Sequence, residues 1–87
     1  MGRALAKEDV RERLTNLISE ITKIPKDFIR DTATVDDDLQ MESVAFVELQ
    51  VAIEDEYQIQ IDPIRVVELN EFGAIVDYVH SCVVNGG

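Results

Sequence analysis

A single cysteine, Cys82, rules out an internal disulfide and leaves no CxxC pattern for metal or redox chemistry. Basic residues are scarce: eight Lys and Arg stand against 18 Asp and Glu, a net charge of −10. Such a surface repels phosphate backbones and anionic lipid heads, so no nucleic-acid or membrane partner is expected, while cationic protein partners are. Long apolar runs are missing too. None follows Met1-Gly2-Arg3 as a signal peptide would require, and nothing approaches the ~20 residues of a membrane span, which predicts a cytoplasmic protein. The 87 residues are expected to form one domain, 1–87, with an ordered core over about 7–83 and loose ends at 1–6 and 84–87. A chain this short hides only about 60–65 % of its unfolded surface. That argues against a large enclosed active site and hence against an independent enzyme.

The charge is unevenly placed. Residues 1–30 carry seven basic and five acidic side chains, whereas residues 31–87 carry thirteen acids and one base, Arg65. Solubility alone explains the total but not this asymmetry.

Apolar periodicity predicts helices. Val10, Leu14, Leu17, Ile18 and Ile21 form one stripe of a first helix over about Lys7 to Lys23, with Glu8 and Asp9 in its first turn and Pro25 as its stop. From Pro25 to Glu42 no period holds. Phe28, Ile29, Val35, Leu39 and Met41 are expected to pin this long loop to the core, with a short helical turn around Lys26 to Ile29. A second helix spans about Ser43 to Tyr57, followed by an extended link in which Ile59 and Ile61 alternate with glutamines. Asp62-Pro63 starts a short third helix to about Glu68, with Ile64 and Val66 or Val67 buried. Asn70 is expected to cap a last helix carrying Phe72, Ile75, Val76, Val79 and Val83. No stretch reads as a strand. The fold class is all-α: a small four-helix bundle of three main helices and one short one, with a long first loop.

The second helix is apolar on two sides. At about 100° per residue, Phe46, Leu49, Ile53 and Tyr57 share one face, while Val44, Val47 and Val51 lie opposite, flanked by Glu48, Glu54 and Asp55. An apolar strip bordered by carboxylates has the make-up of a docking surface for a partner with Lys or Arg around an apolar patch. The alternative is that the preceding loop folds over Val44 and Val47.

Ser43 opens this helix. Serine is a preferred N-cap, yet the capping box is incomplete, because Phe46 stands where Glu or Gln would complete it. The other reading is an exposed, modifiable hydroxyl, with the helix dipole and free N–H groups favouring an attached phosphate. A self-activated nucleophile is a poor fit, since the one histidine, His80, lies in the last helix; His80 and Cys82, two residues apart, point in different directions. Asp36, Asp38 and Gln40 match the start of a calcium loop. Met41 replaces its glycine and Val47 its bidentate glutamate, so no metal site is expected.

Asp38-Leu39-Gln40-Met41-Glu42-Ser43-Val44, followed by Val47-Glu48-Leu49, resembles the acyl carrier protein motif D-L-G-x-D-S-L with its V-E-L segment. Glu54-Asp55-Glu56-Tyr57 and Ile75-Val76-Asp77-Tyr78-Val79 are similar to further family segments, so the resemblance covers nearly the whole chain. It implies that Ser43 carries 4′-phosphopantetheine, transferred from coenzyme A by a phosphopantetheinyl transferase with Mg²⁺, and that acyl cargo is held as a thioester. It also implies that Glu42, Val44, Val47, Glu48, Val51, Glu54 and Asp55 meet partner enzymes of acyl- or ketosynthase type with basic docking patches, the carrier itself being a non-catalytic monomer. Gln40, Glu42 and Val44 depart from the usual Gly, Asp and Leu, and Phe46 is bulkier than usual. These departures favour a specialised pathway such as polyketide assembly. Fatty-acid synthesis, an aminoacyl or peptidyl carrier, and an unmodified carrier-like adaptor are the alternatives.

Overall fold

The computed structural model describes residues 6–85. Of the loose ends expected at residues 1–6 and 84–87, residues 1–5 and 86–87 lie outside these, and Val84 is corrected, being the last residue of a helix. Four helices follow one another: α1 Lys7–Thr22, α2 Ser43–Tyr57, α3 Pro63–Leu69 and α4 Phe72–Val84, with a 3₁₀ turn at Lys26–Phe28 between α1 and α2. The expected all-α bundle is therefore observed. Its β structure among the described residues is an isolated antiparallel bridge between Thr34 and Glu71. No helix among the described residues is long and apolar enough to cross a membrane.

Burial follows the stripes in the sequence. Val10, Leu14, Leu17 and Ile18 of α1 meet Leu49 and Ile53 of α2, Val66 of α3, and Phe72, Ile75, Val76 and Val79 of α4 in one core. Helix α1 packs on both α2 and α4, while the short α3 bridges α2 and α4. Asp62 caps α3 as expected: its carboxylate accepts from the Ile64 N–H at 3.0 Å, and Pro63 takes the first helical position, where no N–H is needed.

Four local expectations are corrected. Lys23 is not helical; it adopts a left-handed φ of 67° and its N–H closes onto the Ser19 carbonyl, ending α1 at Thr22 before Pro25 can act. Asn70 does not start α4. It ends α3 with φ 65°, a region asparagine tolerates, and Glu71 is the N-cap of α4. Ile64 is 68 % exposed, because a seven-residue helix packs along one narrow face and Val66, two positions on, occupies it. Phe28 is 64 % exposed: the 3₁₀ turn, closed by Phe28 N–H to Pro25 and Ile29 N–H to Lys26 carbonyls, directs Ile29 inward instead.

The rest of the long loop is anchored as expected, with Ile29, Val35, Leu39 and Met41 buried. Backbone bonds tie it to the α3–α4 junction. The Val35 N–H donates to Asn70 O at 2.9 Å, Phe72 N–H to Ala33 O at 2.8 Å, and Gly73 N–H to Asp31 O at 2.9 Å. Gly73 permits this approach, since a Cβ there would stand 3.0 Å from the Asp31 Cβ and 3.2 Å from its carbonyl oxygen.

Candidate functional site at the start of α2

The loop delivers Ser43 in a defined position because it is knotted just before α2. Thr34 N–H donates to the Asp38 carboxylate at 2.9 Å, Asp38 N–H returns to the Thr34 hydroxyl at 3.2 Å, and Leu39 N–H donates to Thr34 O. Met41 N–H then donates to Val35 O at 2.8 Å. Asp38, unlike its exposed neighbours Asp36 and Asp37, is thus tied into the loop by hydrogen bonds. Between these bonds the chain turns at Gln40 with φ 50°, the left-handed region where the resembling motif carries glycine.

Ser43 does not cap the helix. Glu42 holds the extended N-cap conformation and its carbonyl accepts from Phe46 N–H at 2.9 Å, which makes Ser43 the first helical residue. The Ser43 side chain is exposed, and no hydrogen bond to another described residue engages its hydroxyl. No acidic residue occupies the first turn of α2 and the Glu42 N-cap makes no side-chain capping bond, so the first-turn N–H groups keep no side-chain partner. An accessible hydroxyl beside uncompensated N–H donors fits a phosphate ester. Beside it runs an open groove of about 360 Å³, walled by Ile21, Thr22 and Ile24 at the end of α1, by Leu39 and Gln40, and by Val44, Ala45 and Glu48. The α1 wall was not legible in the sequence, because it is brought there only by packing.

Helix α2 has the two faces its pattern predicts. Leu49 and Ile53 are buried, and Phe46 and Tyr57 are half-buried against the core. Val44, Val47 and Val51 are 70 %, 56 % and 57 % exposed, so the loop does not cover them. Glu42, Glu48 and Asp55 are exposed beside them. Glu54 differs: it is half-buried, and its carboxylate accepts from the Ile61 N–H at 3.0 Å and from the Gln50 amide at 3.4 Å.

The charge asymmetry acquires a physical reading. Arg11 makes a two-pronged pair with Asp31, both bonds 3.0 Å, and also meets Glu8. Arg13 pairs with Glu56 of α2 at 3.0 Å, and Lys7 pairs with Asp77 of α4. Hydrogen bonding to Glu8 and then Asp31 raises the Arg11 guanidinium above its ordinary value. The cations of α1 therefore join it to the loop, α2 and α4. Asp36, Asp37, Glu42, Glu48 and Asp55 have no ion-pair partner among the described residues, and the field around Ser43 stays negative. His80 and Cys82 are both half-buried on α4.

The family described as the phosphopantetheine attachment site matches residues 12–79. An acyl carrier protein of Acidothermus cellulolyticus is 32 % identical over 94 % of this chain and 98 % of its own length. One from Buchnera aphidicola is 33 % identical over 84 % of this chain and 92 % of its own. Among solved structures, the acyl carrier protein from Enterococcus faecalis superposes with a TM-score of 0.74 at 28 % identity, covering 90 % of this chain and 99 % of that one.

Proposed function

Because the chain belongs to the acyl carrier proteins, the family of the phosphopantetheine attachment site, we propose that Ser43 is its attachment residue and that the chain presents acyl cargo to successive enzymes of a specialised, polyketide-type assembly system. The family's prosthetic group is a covalently attached 4′-phosphopantetheine, which supplies a thiol that holds cargo as a thioester. The observation that carries the reading is the Ser43 hydroxyl, exposed, unengaged and seated on the first turn of α2.

In this reading Ser43 Oγ attacks the pantetheine-side phosphorus of coenzyme A within a phosphopantetheinyl transferase. The new Oγ–P bond forms, the pyrophosphate P–O bond breaks and 3′,5′-ADP leaves. The transferase takes the serine proton, since no described residue of this chain is hydrogen-bonded to the hydroxyl. The first-turn N–H groups of α2 then stabilise the phosphate. Val44, Val47 and Val51 form the apolar centre of the docking face, and Glu42, Glu48 and Asp55 its charged border, drawing enzymes with basic patches. Glu54 contributes charge from beneath this border while holding the α2–α3 link. Catalysis belongs to the partners; the carrier supplies proximity, as a tether does by raising effective concentration. The chain acts as one cytoplasmic, monomeric carrier domain.

Gln40, Glu42, Val44 and Phe46, which depart from the common motif, support the specialised pathway. Fatty-acid synthesis is the second reading, favoured by relatives that are named simply as acyl carrier proteins.

The test is intact-protein mass after incubation with coenzyme A, Mg²⁺ and a broad-specificity transferase. The wild-type chain is expected to gain one phosphopantetheine. Ser43→Ala is expected to gain none and to keep its stability within about 0.5 kcal/mol, as an exposed side chain without a bond should. An unchanged wild-type mass would favour the unmodified adaptor.

A further inference from the structure

We propose that the open groove beside Ser43 is the resting place of the prosthetic arm before cargo is loaded, and that the Gln40 side-chain amide holds the arm there; the inference rests on the carrier reading above.

Gln40 is the residue that points to a ligand. Among the described residues, the non-glycine positions with positive φ are Lys23, Gln40, Gln58 and Asn70. Lys23, Gln58 and Asn70 each end a helix, where a left-handed residue closes the last turn. Gln40 ends none. Backbone strain without such a local cause gathers where ligands are held. The Gln40 side chain is exposed, and no hydrogen bond among the described residues uses its amide, which leaves its donors and its acceptor free at the groove.

The groove suits the arm in size, chemistry and place. Its volume of about 360 Å³ lies within the range of small-molecule sites. Ile21, Ile24, Leu39 and Val44 offer apolar surface to the geminal methyl groups of a pantetheine, and the carboxylates of Glu42 and Glu48 can accept from its amide N–H groups. The Thr22 hydroxyl is already engaged, donating to Ile18 O at 2.7 Å and accepting the Ile24 N–H at 3.2 Å. Gln40 is thus the lining side chain left to donate to an arm carbonyl. Glu42 and Val44, the chain neighbours of Ser43 on either side, both line the groove, so the tether begins at its mouth. A short tether keeps its free end at about millimolar effective concentration, so an intrinsic affinity of about a millimolar fills the groove half the time.

Occupancy bears on docking. Val44 and Glu48 line the groove and also belong to the α2 face offered to partners. Arm and partner cannot both cover these side chains, so docking frees the arm and its thiol.

The isotope-labelled chain is loaded from unlabelled coenzyme A by a phosphopantetheinyl transferase, and loading is verified by intact mass. Filtered NOEs from the arm to protein methyl groups are then recorded for wild type, Gln40→Gly and Gln40→Asn. The wild type is expected to show NOEs from the geminal methyl groups to Ile21, Ile24 and Val44, and loading is expected to shift the Gln40 side-chain amide signals. Gln40→Gly keeps the left-handed turn without the amide. Its ratio of held to free arm is expected to fall about two- to tenfold, as the loss of one hydrogen bond implies, while the unloaded chain stays at least as stable in urea. Gln40→Asn tolerates the same φ and sets the amide back by one methylene, so it reads the same loss at smaller size if the glycine variant does not fold. A loaded wild type without groove NOEs, or with NOEs to Phe46, Leu49 and Ile61 in their place, overturns the proposal. So do NOEs that keep full intensity in the folded variants. A wild type that gains no mass removes the carrier reading itself, and the proposal with it.

Discussion

Gln40 shows how a single backbone angle explains a departure from a motif. Its φ of 50° lies in the left-handed region, which costs a residue with a Cβ about 1–2 kcal/mol. Glycine there escapes that cost but adds freedom to the unfolded chain, a loss of about 0.4–1 kcal/mol. Gln40→Gly is expected to stabilise the fold by about 0.5–1 kcal/mol in urea unfolding; no change, or a loss, would mean that the glutamine side chain stabilises the turn. Tyr57 offers a second residue-scale expectation. Burial, and after it the negative charge of Glu56, raises its hydroxyl above the ordinary value of 10.0. The unfolded chain therefore releases this proton at lower pH than the folded one. Its contribution to stability is complete below about pH 10, the unfolded value, and disappears as pH rises through the folded value. Wild-type folding free energy is expected to fall more steeply above pH 10 than that of Tyr57→Phe, measured by denaturant unfolding at fixed pH steps. Neither the left-handed turn nor the raised hydroxyl could be read from residue order, since each arises from surroundings that other segments provide.

At the scale of the element, α2 performs two tasks because its residues repeat at helical period on two sides. Leu49 and Ile53 face the core while Val44, Val47 and Val51 face water. This much was legible in the sequence, because a helix imposes its period whatever surrounds it. Val47→Asp is expected to change folding free energy by less than about 1 kcal/mol, as a surface substitution does. Turnover by partner enzymes with basic patches is expected to fall at least tenfold, measured as kcat/KM for transfer onto the loaded carrier. A large fall in Tm with little change in kcat/KM would reverse that assignment. The capping of α2 was less legible. Serine is so common an N-cap that sequence alone leaves its hydroxyl with a competing role, and the structure removes that role by giving the cap position to Glu42.

For the whole molecule, the decisive arrangement is the junction where α1, the long loop and α4 meet. Arg11 grips Asp31, and the Asp31 carbonyl accepts the Gly73 N–H. Because a Cβ at Gly73 would press on both the side chain and the backbone of Asp31, Gly73→Ala is expected to cost about 1–3 kcal/mol. Amide exchange should quicken along residues 31–42, as the loop that carries Ser43 loosens, and hydrogen-exchange mass spectrometry reads this directly. Faster exchange confined to α4 would instead mean that the loop is held by its apolar anchors alone. The same long-range pairing organises charge. The bases of α1 are matched by Glu8, Asp31, Glu56 and Asp77, and the acids near Ser43 remain available to a partner.

The amino-acid order by itself specified four helices, the apolar face that each of the three long ones would bury, the outward valines of α2 and the serine at its head. Helical period and breaker residues act over a few neighbours, and such information survives in any local window. Tertiary structure decided which cations are paired, that Asp38 knots the loop, and that Phe28 and Ile64 face solvent. Each of these depends on groups that are distant in sequence meeting at a few ångströms, and only the closed chain sets those distances.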